Sequence, residues 1–519
     1  MTGSLTRLAA GAALIAGVGM VAAAVAATGA RAQGVSNEAW LGQVGGTNTI
    51  TIDQSGRSNQ AGADNVRLRL NQDGNDNVLS ITQFGHRNQA GAAPYLSAPT
   101  GINQVGGSNK IDVTQRNAAE AFDGTNIIGA IFQRSADLLL ESANILTILQ
   151  SEAGGNGGAA HHQVGTVSQV FTGGWSDRPN QASISQTGGG FGEGNSLERL
   201  YQRGTANSFT LTQQDQSNEV VDARQIGSGN RAFVGQGGFA GFVGGNFLEY
   251  LHQFGVDNVA RVVMQGSNNA VQRILQINAH LGASALGNKV RVSLNGEDNG
   301  GTGIGGVGKF QSDAARAVSV GQANVVQLGD YNRTAITIAG VENKFGAQQF
   351  GEDNDVYISI GALGGVSAQK NESAVFQVGT DNSFSHVALG SENVGAARQF
   401  GDYNRLWIEQ RGNRNLAEAV IVGSLNNFDV ASFTGLSPSA LPSADFRPGR
   451  LYQQGLDNAI SVKVTGSGNR FGFYQAGNAN VAESIIVGAG NQVVVVQIGN
   501  DNVSLTQQYG SNNSAIIRQ

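Results

Sequence analysis

The chain has 519 residues, 76 glycines, only 6 prolines and no cysteine, and charged residues amount to 13% of the sequence. The missing cysteines exclude disulfide bonds, and a net charge of −6 without runs of basic residues argues against nucleic acid as a partner. A low charge combined with many Gly, Asn and Gln residues is typical neither of an ordinary enzyme nor of a charged disordered tail.

Residues 1–32 have the features of a secretory signal peptide. Arg7 precedes an apolar stretch rich in Ala, Gly and Val, and Ala30-Arg31-Ala32 fits an A-x-A cleavage site before Gln33. A permanent membrane anchor is the alternative, because the apolar stretch approaches the length that spans a bilayer. The small residues at the cleavage site favour removal, so the sequence predicts an exported mature protein.

A six-residue phrase recurs through most of the remaining sequence. It consists of Gln or an aliphatic residue followed by x-Gly-x-x-Asn, and it first appears at Gln43–Asn48. From Gln453 to Asn513 it returns at steps of 11 residues without interruption. Alternate units often replace Gln by an aliphatic residue or Ala, as at Ile338, Ala388 and Ile421, which gives a super-period of 22 residues. Such regular self-similarity indicates a repeat architecture.

Interruptions of the phrase divide the chain into segments. Its register is lost between about 117 and 200, where Ala136–Gln150 fits either a short helix or divergent strands. Three of the six prolines lie in 427–450, which is typical of a loop. The predicted segments are the signal peptide at 1–32, repeats at 33–116, degenerate repeats or an insertion at 117–200, repeats at 201–276, a Gly-rich insertion at 277–323, repeats at 324–426, a loop insertion at 427–450 and repeats at 451–519.

The residues between two phrases have the pattern of a β-strand. After Asn458, the apolar residues Ile460 and Val462 alternate with Ser461 and Lys463, and a period of two indicates a strand with one buried face. The Gly-x-x that follows supplies a tight turn, because Gly adopts positive φ without steric cost. A helix is disfavoured, since each Gly in it would cost about 1 kcal/mol. The sequence therefore predicts an all-β fold, a β-solenoid of 11-residue strand–turn units with 22 residues per coil and loop insertions.

Stacked coils would place the inward Gln and Asn side chains of one coil about 4.8 Å above those of the next. Their amides would then hydrogen-bond along the axis as ladders, which avoids a cost of about 1–3 kcal/mol for each buried unpaired amide. The alternative is that Gln and Asn are surface residues of a low-complexity chain. The predicted ladder residues are Gln327, Asn332, Gln349, Asn354, Gln377, Asn382, Gln399, Asn404, Gln410, Asn415, Gln453, Asn458, Gln475, Asn480, Gln497, Asn502, Gln508 and Asn513, and the predicted turn glycines are Gly329, Gly351, Gly379, Gly401, Gly455, Gly477, Gly499 and Gly510.

Motifs that would indicate catalysis, cofactor binding or metal binding are weak, and the sequence predicts no catalytic residue, cofactor or metal site. Gly303-x-Gly305-x-x-Gly308 matches a dinucleotide fingerprint but lies in a glycine tract without a strand–turn–helix context. His161-His162 lacks further ligands at metal spacing and is predicted as a solvated loop pair. His386 is predicted to point inward as a ladder substitute. The acidic turn residues are predicted to cap turns and to protect sheet edges, with calcium binding as the alternative; they are Asp353, Asp381, Asp402, Asp457 and Asp501.

The repeat resembles that of the curlin family, the subunits of curli functional amyloid, whose repeat has the form Ser-x5-Gln-x-Gly-x-x-Asn-x-Ala-x3-Gln. Gln83–Ala90 matches the central portion, and Asn480-Val481-Ala482 matches the Asn-x-Ala step. The resemblance implies a secreted subunit on the surface of a Gram-negative bacterium that polymerises into β-rich fibres. It also implies a dedicated outer-membrane secretion channel and related curlin-type subunits as partners. The second Gln of the family pattern is frequently Ile, Val or Ala here, and the leading Ser is inconsistent.

Two functions from different classes fit these observations. In the first, the chain is a structural protein whose coils stack on those of another copy, giving fibres for adhesion and a biofilm matrix; the unbroken units up to Gln519 motivate this expectation. In the second, the chain is a monomeric secreted solenoid that binds or acts on a glycan or a surface. The insertions at 117–200, 277–323 and 427–450 would then form its working face.

Overall fold

The computed structural model describes most of the chain from residue 30 onward. The described ranges are 30–33, 37–62, 70–91, 101–116, 126–135, 144–152, 162–171, 178–188, 194–238, 245–278, 287–301, 309–361, 368–428, 432–436, 441–443 and 446–519.

Within these ranges almost every regular element is a β-strand. The strands of the N-terminal half are β1 (Ala30–Gln33), β2 (Glu38–Ala39), β3 (Leu41–Val44), β4 (Thr49–Arg57), β5 (Gln60–Ala61), β6 (Leu70–Asp73), β7 (Val78–His86), β8 (Gln89–Ala90), β9 (Ile102–Val105), β10 (Lys110–Arg116), β11 (Ile127–Ile128), β12 (Ile131–Ser135), β13 (Ile145–Glu152), β14 (Gln163–Val164), β15 (Val167–Phe171), β16 (Gln181–Gly188), β17 (Leu200–Gln202), β18 (Ser208–Gln214), β19 (Glu219–Val221), β20 (Ile226–Ser228), β21 (Arg231–Gly237), β22 (Phe247–Glu249) and β23 (Leu251–Val256).

The C-terminal half continues in the same way and contains one short helix. Its elements are β24 (Val259–Ser267), β25 (Ala270–Val271), β26 (Arg273–Ile277), β27 (Lys289–Arg291), β28 (Leu294–Glu297), α1 (Asp313–Ala317), β29 (Asn324–Leu328), β30 (Arg333–Val341), β31 (Lys344–Phe350), β32 (Asp355–Ile360), β33 (Ala368–Gln369), β34 (Glu372–Val378), β35 (Ser383–Leu389), β36 (Val394–Phe400), β37 (Arg405–Asn413), β38 (Leu416–Val422), β39 (Arg450–Leu456), β40 (Ala459–Thr465), β41 (Arg470–Ala476), β42 (Val481–Val487), β43 (Gln492–Ile498), β44 (Val503–Tyr509) and β45 (Ser514–Arg518).

The strands form a parallel β-solenoid with two long faces. The first face is one 20-stranded sheet that runs from β1 to β45 and includes β4, β7, β10 and every later long strand on that side. The second face consists of a six-stranded sheet from β3 to β17 and an 11-stranded sheet from β20 to β44. In the last coils, β41 pairs with β43 and β42 pairs with β44 at a separation of 22 residues. The predicted all-β β-solenoid is confirmed.

The core lies between the two faces. On β40, the inward side chains of Ile460, Val462 and Val464 are buried while the intervening residues reach solvent or the rim. This alternation follows from the pleat of a strand and suits β-branched side chains. Equivalent inward residues of all coils form one continuous cluster from Ile50 to Val495.

Two insertions in the N-terminal coils fall within the strand of the second face, between β5 and β6 and between β8 and β9. In the first coil β2 and β3 are separated only by Trp40, and in a later coil β11 and β12 are separated by two residues. The strands of the first face nevertheless stay in register, since β10 pairs with β13 and β13 with β16. Between 117 and 200 the phrase is degenerate, yet the described strands of this segment pair in register with their neighbours. The strand Ile145–Glu152 overlaps the C-terminal part of Ala136–Gln150, the segment for which the sequence left helix and strand open.

The segment 277–323, predicted as a Gly-rich insertion, also contains a strand of the first face, formed by β27 and β28. Strands β27 and β28 pair with β24 on one side and β30 on the other. Leu294-x-Gly296-x-x-Asn299 supplies the corner, with Leu in the position of Gln. The remainder of the described segment contains α1, whose N-cap Ser312 accepts a hydrogen bond from the Ala315 backbone N–H.

The predicted signal peptide falls mostly outside the described residues. Only Ala30–Gln33 are described, as β1, which pairs with β4. No helix of the described ranges has both the length and the apolar character needed to cross a membrane.

Candidate functional site: the amide columns

Inward glutamines form columns of hydrogen-bonded amides along the stack. On the second face, the Nε2 group of each Gln donates to the Oε1 atom of the next at 2.8 Å (Gln327 to Gln349), 3.1 Å (Gln349 to Gln377) and 2.8 Å (Gln377 to Gln399). On the first face the same bond joins Gln410 to Gln453 at 2.9 Å, Gln453 to Gln475 at 3.0 Å and Gln475 to Gln497 at 2.8 Å. All eight side chains are fully buried.

The Gln column changes faces along the chain. In the N-terminal coils both faces carry Gln, as in the pairs Gln72–Gln104 and Gln83–Gln115. From Met264 to Ala388 the first face carries apolar residues at this position, and after Gln399 the second face does so. Gln508 therefore lies in the second-face position above Ile486, outside the continuous Gln column.

Asparagines form two further columns at the corners of the coils. The Nδ2 group of Asn382 donates to Asn354 Oδ1 at 3.0 Å and to the Gly401 carbonyl at 2.7 Å. Its Oδ1 atom accepts from the backbone N–H of Asn404 at 3.1 Å and from Asn404 Nδ2 at 3.0 Å. Each Asn thus joins one coil to both neighbours. One corner holds Asn332, Asn354, Asn382, Asn404 and Asn513, and the other holds Asn415, Asn458, Asn480 and Asn502.

The turn glycines lie directly above one another at the same corners. Their φ values are between 101° and 126°, a region that residues with a side chain rarely adopt. At Gly329, Gly351, Gly379 and Gly401 an added Cβ would lie 2.1–2.3 Å from the carbonyl oxygen of the next coil, and at Gly455 and Gly477 it would lie at 2.0 and 1.8 Å. At Gly499 and Gly510 the nearest atom is an Asn amide at 3.6 Å. Close approach of successive corners therefore requires glycine at the first six positions.

His386 points inward but does not stand in the Gln column. Its register neighbours are Ile358 and Ile408, and Ala388 holds the Gln position of its coil. The ring extends toward Gln410, with 2.9 Å between His386 Nε2 and Gln410 Oε1. Because Gln410 Nε2 already donates to its own partners, the His386 N–H supplies the donor that begins the Gln column of the first face. The prediction of a ladder substitute is corrected to that of a column cap.

Burial makes His386 sensitive to acid. Burial lowers its pKa to about 4, although the hydrogen bond with Gln410 opposes this. A folded-state pKa below the ordinary value of about 6.5 means that stability is full above pH 6.5 and is lost as the pH falls toward 4. We expect this group to remove about 3 kcal/mol of the free energy of unfolding over that range. Urea denaturation of the native chain and of His386→Leu across this pH range isolates the effect, and parallel pH profiles would contradict it.

The other candidate chemical sites gain no support. His162 is buried and occupies the position of an Asn at the corner, since Asn88 and Asn126 precede it in the column, so the prediction of a solvated loop pair is wrong for this residue. His161 and the Gly303–Gly308 tract lie outside the described residues. In the described ranges, no group of three or more His, Cys, Asp or Glu side chains is arranged to hold a metal ion.

The acidic turn residues lie on the outside of the corners. Asp353, Asp381, Asp457 and Asp501 occupy the left-handed position before the column Asn, with φ between 51° and 57°. Asp402 accepts a hydrogen bond from the Thr380 backbone N–H at 2.8 Å. The Arg414 guanidinium donates two hydrogen bonds to Asp457 and thereby lowers the pKa of that carboxyl group.

The strands, the amide columns and the glycine corners define a β-solenoid whose coils are joined by side-chain amides as well as by backbone hydrogen bonds. Residues 74–116, which include β7 and β10, match the family model described as the curlin associated repeat. The expectation that the chain contains curlin repeats is thereby confirmed for this segment. No curated protein matches the chain.

Sequence reasoning missed several column residues. Gln133, Gln150, Gln169 and Gln186 lie in the Gln columns, although the phrase that should follow each of them is incomplete. The signal that identifies them is the inward parity of Gln relative to the buried Ile and Val residues, since strand pairing preserves parity when an insertion removes the Gly-x-x-Asn corner.

Proposed function

We propose that the chain is a structural subunit, exported from the cell, that assembles end to end into amyloid-like fibres for adhesion and a biofilm matrix. The observation that carries this proposal is the repetition of one interface along the whole stack. Each inner coil donates hydrogen bonds to both of its neighbours and accepts them from both, through the same backbone and amide groups at every step. The end coil of a second copy would therefore present the same backbone and amide hydrogen-bonding groups as the next coil of the same chain.

Such a contact is head to tail and does not close on itself. Heterologous contacts that do not close generate open filaments. Addition of a copy pairs the edges of both faces and continues the Gln and Asn columns, so that inward amides at the junction exchange water for amide partners. The curlin repeat at 74–116 supports this function, because that family is structural rather than enzymatic. Related subunits and an outer-membrane channel are the partners that follow from the same resemblance.

The test uses the mature chain from Gln33 onward over a range of concentrations. We expect material that sediments, binds thioflavin and gives a meridional reflection at about 4.8 Å, the spacing between neighbouring strands. Sonicated fibres of the same chain should remove the lag phase, and fibres of an unrelated amyloid should not. A protein that stays monomeric at high concentration, without thioflavin signal or this reflection, would contradict assembly and favour the monomeric adhesin.

Deletion of the insertions does not test the alternative in which they form a working face. The described parts of 309–320 and 432–449 pack against the outer surface of the solenoid and bury apolar side chains there. Deletion would expose these surfaces, so a loss of glycan binding after deletion would not identify a binding site.

A further inference from the structure

The outer surface of the first face carries a cluster of cations near its middle. The basic patch is defined here as Arg231, Arg261, Lys289, Arg291 and Arg333, which lie on the neighbouring strands β21, β24, β27 and β30. All five side chains are exposed. Because four separate strands contribute to the patch, it does not show as a run of basic residues in the sequence.

Like charges face each other inside the basic patch. Arg261 is the register partner of Arg291, and Lys289 is the register partner of Arg333. Like charges placed directly opposite one another destabilise a sheet. Every other pair of Lys, Arg, Asp or Glu residues among the register partners of the described strands combines opposite charges, as Arg333 and Asp355 do. The chain, with a net charge of −6, therefore keeps an unfavourable arrangement of cations at this one place, and an external anion would relieve it.

The surroundings of the basic patch supply little negative charge. Asp355 lies 3.8 Å from the Arg333 guanidinium. No ion pair joins the other four cations to a carboxylate of the described residues. The segments 239–244, 279–286 and 302–308, which interrupt the neighbouring coils, contain neither Asp nor Glu.

A groove of about 390 Å³ adjoins the basic patch. Its floor is β21, where two outward positions are glycines. One of them, Gly237, lies between Gln214 of β18 and Gln265 of β24, whose side chains line the groove. At the other end the Arg261 guanidinium lies over the Phe233 ring, 5.6 Å from its centroid. The groove thus combines amide groups, an aromatic ring and a guanidinium.

This combination of groups fits a sugar that carries a carboxylate. A guanidinium binds a carboxylate through two parallel hydrogen bonds, and Gln amides both donate to and accept from hydroxyl groups. An aromatic ring in such a groove packs against the apolar face of a sugar ring. A single-stranded nucleic acid would instead require aromatic rings with open faces for its bases, whereas Arg261 covers a face of Phe233.

We propose that the groove and the basic patch bind an acidic polysaccharide, a linear chain of sugars that carry carboxylates. One sugar occupies the groove, and the chain continues across β24, β27 and β30, where neighbouring strands present cations at steps of about 4.8 Å. The site lies on the outer surface of the sheet, whereas end-to-end assembly uses the strand edges. It is therefore present in a single copy and in a fibre, and it goes beyond the proposed function without depending on it.

The test measures the fluorescence anisotropy of a labelled galacturonic acid oligomer titrated with the full mature chain. We expect Lys289→Gln with Arg291→Gln to bind it at least about tenfold more weakly than the native chain, because each substitution removes one member of a like-charged pair. The matched control is Lys110→Gln with Lys463→Gln, since both lysines are exposed on strands outside the basic patch and the net charge changes equally. The control should bind almost as tightly as the native chain. Equal losses in both double variants would assign the binding to net charge and overturn the site.

Thermal denaturation shows whether the patch variant is folded. Its midpoint should not lie below that of the native chain, because the substitutions remove repulsion between exposed side chains.

Two further measurements separate sugar recognition from charge. The methyl-esterified oligomer keeps the sugar rings without their charge and should bind at least about tenfold more weakly. Gly235→Val fills the floor of the groove without a clash, since the atom nearest to an added Cβ is Phe233 Cε1 at 3.6 Å. This variant should weaken binding although all five cations remain. Native affinity in Gly235→Val, or tighter binding of a single-stranded DNA oligonucleotide of the same charge, would overturn the assignment to an acidic polysaccharide, as would a native chain that does not bind the oligomer.

Discussion

Replacing Gly379 by alanine is expected to lower the free energy of unfolding by more than about 3 kcal/mol. The residue has a φ of +124°, where a side chain alone costs about 1–3 kcal/mol. In addition, the new Cβ would lie 2.2 Å from the Gly401 carbonyl oxygen and 2.7 Å from its carbonyl carbon. These are backbone atoms of the next coil and cannot rotate away, so the clash must separate β34 from β36. Thermal or urea denaturation measures the loss.

Gly435→Ala is the matched control for this substitution. Gly435 lies between β38 and β39 with a φ of +70°, and no atom of the described residues lies within 4 Å of an added Cβ. Only the left-handed backbone conformation opposes the change there, at a cost of about 1 kcal/mol. If the two alanine variants lost equal stability, close approach of the corners would not be the reason for the glycine column. Faster hydrogen exchange in β34 and β36 of the Gly379 variant, but not in distant coils, would locate the damage.

The periodic parts of the fold were predictable because each unit repeats the same physical requirements. Ile460 and Val462 alternate with polar neighbours, and Asn458 precedes them at the same parity, which is sufficient to predict a strand with a buried face. The inward position of His386 followed from the same parity. Its role did not, since the ring contacts Gln410 in the next coil, and the sequence does not show which coil lies next when insertions vary in length.

The contacts of the insertions were not predictable, for a related reason. The segment Gln492–Gln497 has valines at both parities, which indicates that both sides of β43 are covered. The sequence does not show what covers the outer side, because the contact with Phe433 and Phe446 joins residues about 50 to 60 positions apart through tertiary packing. Similarly, the first-face strand formed by β27 and β28 has Leu294 in place of Gln. This strand can be recognised only from its register with the neighbouring strands β24 and β30.

Replacing Asn382 by aspartate tests the amide columns with almost no change in shape. The Oδ1 position still accepts from Asn404, but the Nδ2 donor is lost, and the new oxygen faces Asn354 Oδ1 and the Gly401 carbonyl, previously at 3.0 and 2.7 Å. A buried charge is then placed beside two acceptors without a counter-ion. We expect the free energy of unfolding at neutral pH to fall by about 3–5 kcal/mol.

The pH dependence of this loss identifies its cause. Burial and the facing acceptors raise the pKa of the new carboxyl group above its value of about 3.9 in the unfolded chain, so the folded state binds the proton more tightly. The loss relative to the native chain should therefore shrink as the pH falls through the folded-state pKa, because the protonated carboxyl donates one of the two missing hydrogen bonds.

Asn413→Asp is the control: Asn413 is exposed, and its Oδ1 atom accepts the Ser391 backbone N–H at 2.8 Å, an interaction that aspartate retains. Urea denaturation at pH 7 and pH 5 should show a large, acid-relieved loss for Asn382→Asp and a small change for Asn413→Asp. Equal losses at the two positions would mean that the columns do not hold the coils together.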